Sequence, residues 1–195
     1  MHATHAEGAV RATRTADVPW DVPVRLVPAG GAEQDGVTRV ERVDPGATLP
    51  GVDAVEVTTV VVDGAELLVR VDPCRGPGAA PDGTLGDLLT RLQGPDGTVG
   101  VRVAGTAFTR DVLAALCRIP AGERRTYAEL AALAGHPGAV RAAASVMARN
   151  RVPLVLPCHR IVPSGGGTGR YAWGDEVKVA LLDAESPSPT TGQHA

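Results

Sequence analysis

The stretch AVEVTTVVVDGAELLVRVDP, residues 54–73, constrains the fold more than any other part of the chain. Two runs rich in β-branched residues meet at Asp63-Gly64. Asp-Gly between apolar runs supplies the positive-φ positions of a tight hairpin turn. The chain therefore contains an antiparallel pair and is not all helical. TLGDLLTRLQG (84–94) follows with leucines at helical spacing and a closing glycine, and TVGVRVAG reads as another strand. Residues 54–104 are expected to form a small α+β unit. Residues 1–53 show no sustained periodicity and are expected to be a largely irregular extension, with short strands around VPVRLV and VTRVERV. Aromatic residues are only 3% of the chain, so its core has to be built from Ala, Val and Leu.

From Thr106 the period changes from two to 3.6. TAFTRDVLAALCRI places Phe108, Val112, Leu116 and Ile119 on one helical face. Cys117 adjoins that face and reads as a small buried hydrophobe. Thr126 followed by Glu129 is a capping box that opens a short helix, Tyr127–Leu133. AGHPG turns the chain, Pro137 suits the first position of the next helix, and AVRAAASVMAR (139–149) is that helix. Two short helices joined by a tight turn are a helix-turn-helix. The second is nearly all small residues, with one long cation, Arg141, in its first turn; such a helix can approach another surface closely, or simply pack on the core. The fold class expected is α+β, with a small mixed N-terminal part, a mainly helical domain over 105–186 and a short tail, 187–195.

Charge is uneven along the chain. Residues 118–160 carry seven arginines against Glu123 and Glu129, a balance of +5 in a chain of net charge −3. This face meets an anion, nucleic acid being a candidate, or is a solvated arginine-rich surface. There is no apolar run long enough to span a membrane and no apolar leader at the N-terminus. The three cysteines, Cys74, Cys117 and Cys158, fit neither a disulfide framework nor a zinc ladder, so no metal is expected and a reducing, cytoplasmic setting is.

The remaining feature is VPLVLPCHRIVPSGGG, residues 152–167. An apolar run that reads as a buried strand ends at Pro157, and a thiol, an imidazole and a guanidinium follow. A cysteine attacks only as thiolate, and a nearby base has to make one. His159 is that candidate, and Glu185, downstream in DEVKVALLDAE, is a candidate to orient it. Neighbours on a strand point to opposite faces, so Cys158 and His159 must sit in a turn or be bridged by water. A packed thiol beside an unrelated histidine is the bland alternative.

PCHRIV, with NRVPLVL before it, GTGRYAWGDEVKVALLDAE after it and IPAGERRTYAELAALAGHPGAVRAAASVMARN upstream, resembles the active-site region of the O6-alkylguanine-DNA alkyltransferases, also called methylated-DNA–protein-cysteine methyltransferases. The resemblance covers roughly residues 105–185. It implies a ribonuclease-H-like N-terminal part and a winged-helix-like helix-turn-helix that enters the minor groove of double-stranded DNA containing O6-alkylguanine. It implies that Arg141 replaces an extruded nucleotide, with Ala142 beside it on the DNA, and that Tyr127 helps rotate the base. Cys158 would accept the alkyl group, His159 would act as base through a water, Glu185 would orient it, and Asn150 would brace the intervening turn. Carbonyls at Cys158 and Ile161 and the amide of Ala172 would read the guanine edge. Met147, Tyr171, Trp173 and Lys178 would complete the pocket. No cofactor is needed, each molecule reacts once, and a monomer suffices.

Departures from the family pattern are local. Trp173 stands where a small residue is usual, Ala172 lacks a common hydroxyl, Ala144 and Ser145 replace glycines, and Leu113 replaces a tryptophan. The N-terminal half matches poorly. Two other classes compete: a sensor that binds alkylated guanine without repairing it, and a cysteine hydrolase or redox enzyme. The latter would need an oxyanion site or a resolving thiol, and the sequence points to neither.

Overall fold

The structure is a computed structural model that describes residues 18–29, 38–76 and 78–186. The tail expected over 187–195 lies outside the described residues. The hairpin forms as expected: β3 (Ala54–Val62) and β4 (Ala65–Cys74) pair antiparallel. Asp63 and Gly64 take φ of 50° and 78°, the left-handed pair that lets a two-residue turn follow the strands' twist.

The strands expected from the sequence pattern join in one five-stranded sheet. β1 (Val24–Pro28) and β2 (Thr38–Val43) lie before residue 54, and β5 (Val99–Val103) follows helix α1 (Leu85–Arg91). The strand order is β1-β5-β4-β3-β2, with β1 and β4 both parallel to β5 and the rest antiparallel. The two early strands fall where short strands were expected, around VPVRLV and VTRVERV, and they form both edges of the sheet. Their sequences are short and part-polar because an edge strand needs only one buried face. α1 is opened by the Thr84–Asp87 capping box and buries Leu85, Leu88 and Leu89.

α2 (Ala107–Cys117), α3 (Tyr127–Leu133) and α4 (Val140–Ala148) follow. Val112, Leu116 and Ile119 are buried and Phe108 partly so, as the period requires. The Thr126–Glu129 capping box forms, and α3 and α4 follow one another across a short turn. Pro137 does not open α4. It sits inside a turn closed by the Ala139 N–H on the His136 carbonyl at 2.9 Å, and α4 begins at Val140 without a side-chain cap. Gly138 after it carries the chain through the turn before helical geometry starts. The short parallel strands β6 (Arg125–Thr126) and β7 (Ile161–Val162) tie the start of α3 to the segment after Cys158, and α5 (Asp175–Ala184) ends the described chain.

The stretch read as a buried strand is buried but is not a strand. Residues 152–156 are all buried, yet the Leu156 N–H closes a turn on the Val152 carbonyl at 2.9 Å and Leu154 has φ of 72°. The Asn150 side chain takes the backbone groups that a neighbouring strand would have paired: its Oδ1 accepts from Val152 N–H at 3.0 Å and its Nδ2 donates to the Leu156 carbonyl at 2.9 Å. A leucine at positive φ costs about 1–2 kcal/mol, which burial of the whole side chain offsets.

Candidate active site and nucleic-acid interface

Cys158 opens a single 3-10 turn, Cys158–Arg160, so the three consecutive side chains diverge. The thiol is half-buried, whereas His159 and Arg160 are fully buried toward α5. The turn that the Cys-His adjacency demanded is present. Asn150 Nδ2 donates to Cys158 Sγ at 3.1 Å as well as to Leu156. Burial pushes the Cys158 thiol up. The Asn150 amide, the Lys178 ammonium and the Tyr171 hydroxyl pull against burial without cancelling it. The resting group is therefore a thiol, and reaction requires a base.

His159 Nε2 lies 2.9 Å from Glu185 Oε1. A carboxylate only accepts, so this bond puts the proton on Nε2 and leaves the Nδ1 lone pair free. Nδ1 is buried and has no hydrogen-bond partner among the described residues. Burial is the main force lowering His159, with Glu185 opposing it. A neutral imidazole with an open acceptor is the state that can take a proton. Glu185 caps the end of α5 and is itself fully buried. Burial pushes its carboxyl up, but bonds from His159 and Arg160 outweigh this and hold it well below the usual carboxylate range.

Trp20 and Asp21 were missed from sequence, and Arg160 was read only as a charge beside the thiol. Trp20 Nε1 donates to Glu185 Oε1 at 3.0 Å. Arg160 donates to Glu185 Oε2 at 3.0 Å and Oε1 at 2.7 Å, to the Ile119 carbonyl at 2.7 Å and to Asp21 Oδ1 at 3.1 Å. The Trp-Asp pair in VPWDVP carried one usable signal: in a chain with two tryptophans, a tryptophan outside any periodic segment is an anchor seeking a buried acceptor for its N–H. The sheet grips the site at two further points. Val71 N–H in β4 donates to the Arg151 carbonyl at 2.8 Å, and Arg75 donates to the carbonyl of Trp173.

Of the remaining residues named from sequence, Tyr127, Tyr171 and Lys178 lie near the thiol, Arg141, Ala142 and Met147 lie on α4, and Ala172 and Trp173 line a cleft that does not include Cys158. Tyr127 begins α3, half-buried, and burial followed by the nearby Cys158 charge raises its hydroxyl. Tyr171 is near enough to the thiol to favour the thiolate, although its hydroxyl makes no hydrogen bond of ordinary geometry among the described residues. Lys178 is buried, and its Nζ donates to the Ile161 carbonyl at 2.6 Å, leaving that carbonyl one lone pair for a ligand. Met147 is buried under α4, while Arg141 and Ala142 are exposed on it. Ala172 is exposed. Trp173 is buried, edge-on to Tyr171 at 6.3 Å, and helps line a cleft of about 1280 Å³ with Val71, Arg102, Ala142, Ser145 and Arg149. Among the described residues no group of His, Cys, Asp and Glu is arranged to hold a metal ion.

Asn150→Ala is expected to lower stability by about 1–3 kcal/mol, because the buried Val152 N–H and Leu156 carbonyl lose their partner. It should also slow reaction of Cys158 with iodoacetamide. Urea unfolding and peptide mass check the two effects.

Residues 107–187 match the family described as 6-O-methylguanine DNA methyltransferase, DNA binding domain. The resemblance carried by PCHRIV and its flanks is thereby borne out over that segment. Among curated proteins, the chain is 46% identical over 84 residues to the regulatory protein Ada of Salmonella typhimurium, covering 43% of this chain and 24% of that protein. It is 44% identical over 81 residues to the methylated-DNA–protein-cysteine methyltransferase of Methanosarcina barkeri, covering 42% of this chain and 51% of that protein. The chain thus spans a quarter to half the length of these two relatives. Among solved structures, the Mycobacterium tuberculosis OGT in complex with DNA superposes with a TM-score of 0.52 at 26% identity, covering 76% of this chain and 92% of that one. The structural likeness therefore extends beyond the segment that the family description covers.

Proposed function

We propose that this chain repairs DNA by moving an alkyl group, methyl above all, from O6 of guanine to Cys158, once per molecule. One observation carries the reading. A thiol held by Asn150 shares one turn with His159, whose Nε2 is bonded to the buried Glu185 at the end of α5 and whose Nδ1 is open. In the reaction, His159 Nδ1 takes the thiol proton, directly or through a water. The thiolate attacks the alkyl carbon, the carbon–O6 bond breaks, and guanine leaves with that electron pair and takes up a proton. The product thioether has no easy return, so turnover stops and no cofactor is consumed.

A base stacked in a duplex cannot present its O6 substituent to a thiol behind the binding helix, so the nucleotide has to be flipped out. In this reading Arg141 fills the gap, which its exposure near the start of α4 supports, and the small Ala142 and Ser145 let the backbone approach the minor groove. Tyr127 steers the base, and Met147, Ile161, Tyr171, Ala172, Trp173 and Lys178 surround it. The finer architecture proposed is a ribonuclease-H-like sheet unit up to residue 104 and a winged-helix-like unit over 105–186, working as a monomer in the cytoplasm. No helix among the described residues is long and apolar enough to cross a membrane.

The test is intact and peptide mass after mixing the protein with duplex DNA carrying one O6-methylguanine. The expected result is one added methylene mass, confined to the Cys158 peptide and saturating at one per chain. No gain, with selective binding to the same duplex, overturns transfer in favour of a sensor. Arg141→Ala should slow repair of duplex by about tenfold or more, the scale of one lost stacking contact, and leave reaction with free O6-methylguanine base nearly unchanged. Equal slowing on both substrates removes the finger from the account.

A further inference from the structure

Glu185 Oε1 is the most heavily bonded atom of the site: Trp20 Nε1 at 3.0 Å, His159 Nε2 at 2.9 Å and Arg160 Nη2 at 2.7 Å all donate to it. Arg160 Nε holds Oε2 at 3.0 Å. Arg160 is in turn balanced by Asp21, the residue after Trp20. Trp20 comes from the N-terminal segment that the family match does not cover, yet its side chain is as buried as the pair it touches.

We propose that Trp20 is a positioning residue for the reaction of Cys158: its indole N–H restrains the Glu185 carboxylate so that His159 is bonded through Nε2 and remains neutral, with Nδ1 free to accept the thiol proton. The proposal rests on the reading of Cys158 as the reactive group. Its physical basis is competition at one oxygen. An oxygen that already accepts from an indole and a guanidinium has less to offer an imidazolium, so the charged form of His159 is held less strongly than by a bare carboxylate. The other charges facing His159 are Arg160 in the same turn and Lys178 from α5, and both also disfavour the imidazolium. Arg160 and Lys178 serve other contacts as well: Arg160 clamps Asp21 and Ile119, and Lys178 holds Ile161. Trp20 donates its only N–H to Glu185 and to nothing else among the described residues.

Trp20→Phe keeps the ring and removes the donor. The His159 ring is followed by nitrogen NMR across pH, its signals assigned with a His159→Gln variant. The expected result is a protonation midpoint higher by about 0.5 pH or more, a roughly threefold change in the proton affinity. The acid limb of Cys158 carbamidomethylation by iodoacetamide should move the same way. A lower melting temperature with an unmoved midpoint overturns the proposal, because a ring that only packs does not tune an imidazole. If Trp20→Phe does not fold, the wild-type chain decides. Its two indole N–H signals are separated by a Trp173→Phe variant, and the Trp20 signal should titrate with the His159 midpoint. A Trp20 signal that stays constant through that midpoint overturns the proposal. Both readouts are independent of DNA, so failure of methyl transfer in the wild-type chain counts against the repair reading and not against Trp20.

Discussion

Cys158→Ala is expected to take up no methyl group from O6-methylguanine duplex, while its affinity for that duplex should stay within about threefold of wild type, the change that corresponds to less than 1 kcal/mol. The other two thiols are not expected to substitute. Cys117 lies in the core, where burial pushes it up to about 12. Cys74 ends β4 and is also raised by burial, with Arg42 and the Glu56 backbone amide pulling against it without cancelling it. Peptide mass after a long incubation is the check, because a slow second acceptor would appear as methyl on a different fragment. Such a fragment would remove Cys158 from the chemistry whatever the binding data show.

Arg160→Met is expected to cost about 3–5 kcal/mol of unfolding free energy, the penalty for removing one partner from a buried charge cluster. The methionine fills much of the volume, so the loss comes from Glu185 and Asp21, which stay buried without their guanidinium. The acid dependence of stability distinguishes this cause from poor packing. In the wild-type chain Glu185 is held below its unfolded value of about 4.3, so its contribution is present above that pH and lost as pH falls through the folded value. His159 acts in the same direction: it is buried neutral, its affinity for a proton is lowered, and acid below about 6.5 favours the unfolded chain. Urea unfolding between pH 7 and 2 should show wild-type stability falling first with His159 and then, below about 4.3, with Glu185. Arg160→Met should start lower and lose part of the Glu185-linked slope, because its carboxyl is no longer held down by the guanidinium. A variant within 1 kcal/mol of wild type would mean that Arg160 is not the hub of the cluster.

The parts of this molecule that were legible in sequence are those fixed by neighbours a few residues apart. Asp63-Gly64 carries its own turn geometry, Thr126 and Glu129 cap each other, and Phe108, Val112, Leu116 and Ile119 share a face by period alone. Cys158, His159 and Glu185 were legible because a thiol beside an imidazole has few chemical uses, and the structure joins His159 to Glu185. Long-range polar contacts were not legible. Nothing local to Trp20 or Asp21 indicates that they close on Glu185 and Arg160, 165 and 139 residues away in sequence. The apolar run 152–156 misled in the opposite way. Its hydrophobicity truly reports burial, but Asn150 satisfies its backbone from outside the run, so a strand was never needed.

The distance between His159 and Glu185 along the chain has a consequence during synthesis. The two are 26 residues apart, and at about 5–20 residues per second a ribosome needs roughly one to five seconds to add them. Throughout that interval the nascent polypeptide already carries the Cys158 thiol but lacks the carboxylate that holds the imidazole. Under the proposed reaction, the thiol's base is therefore unorganised until α5, the last of the described helices, has followed it.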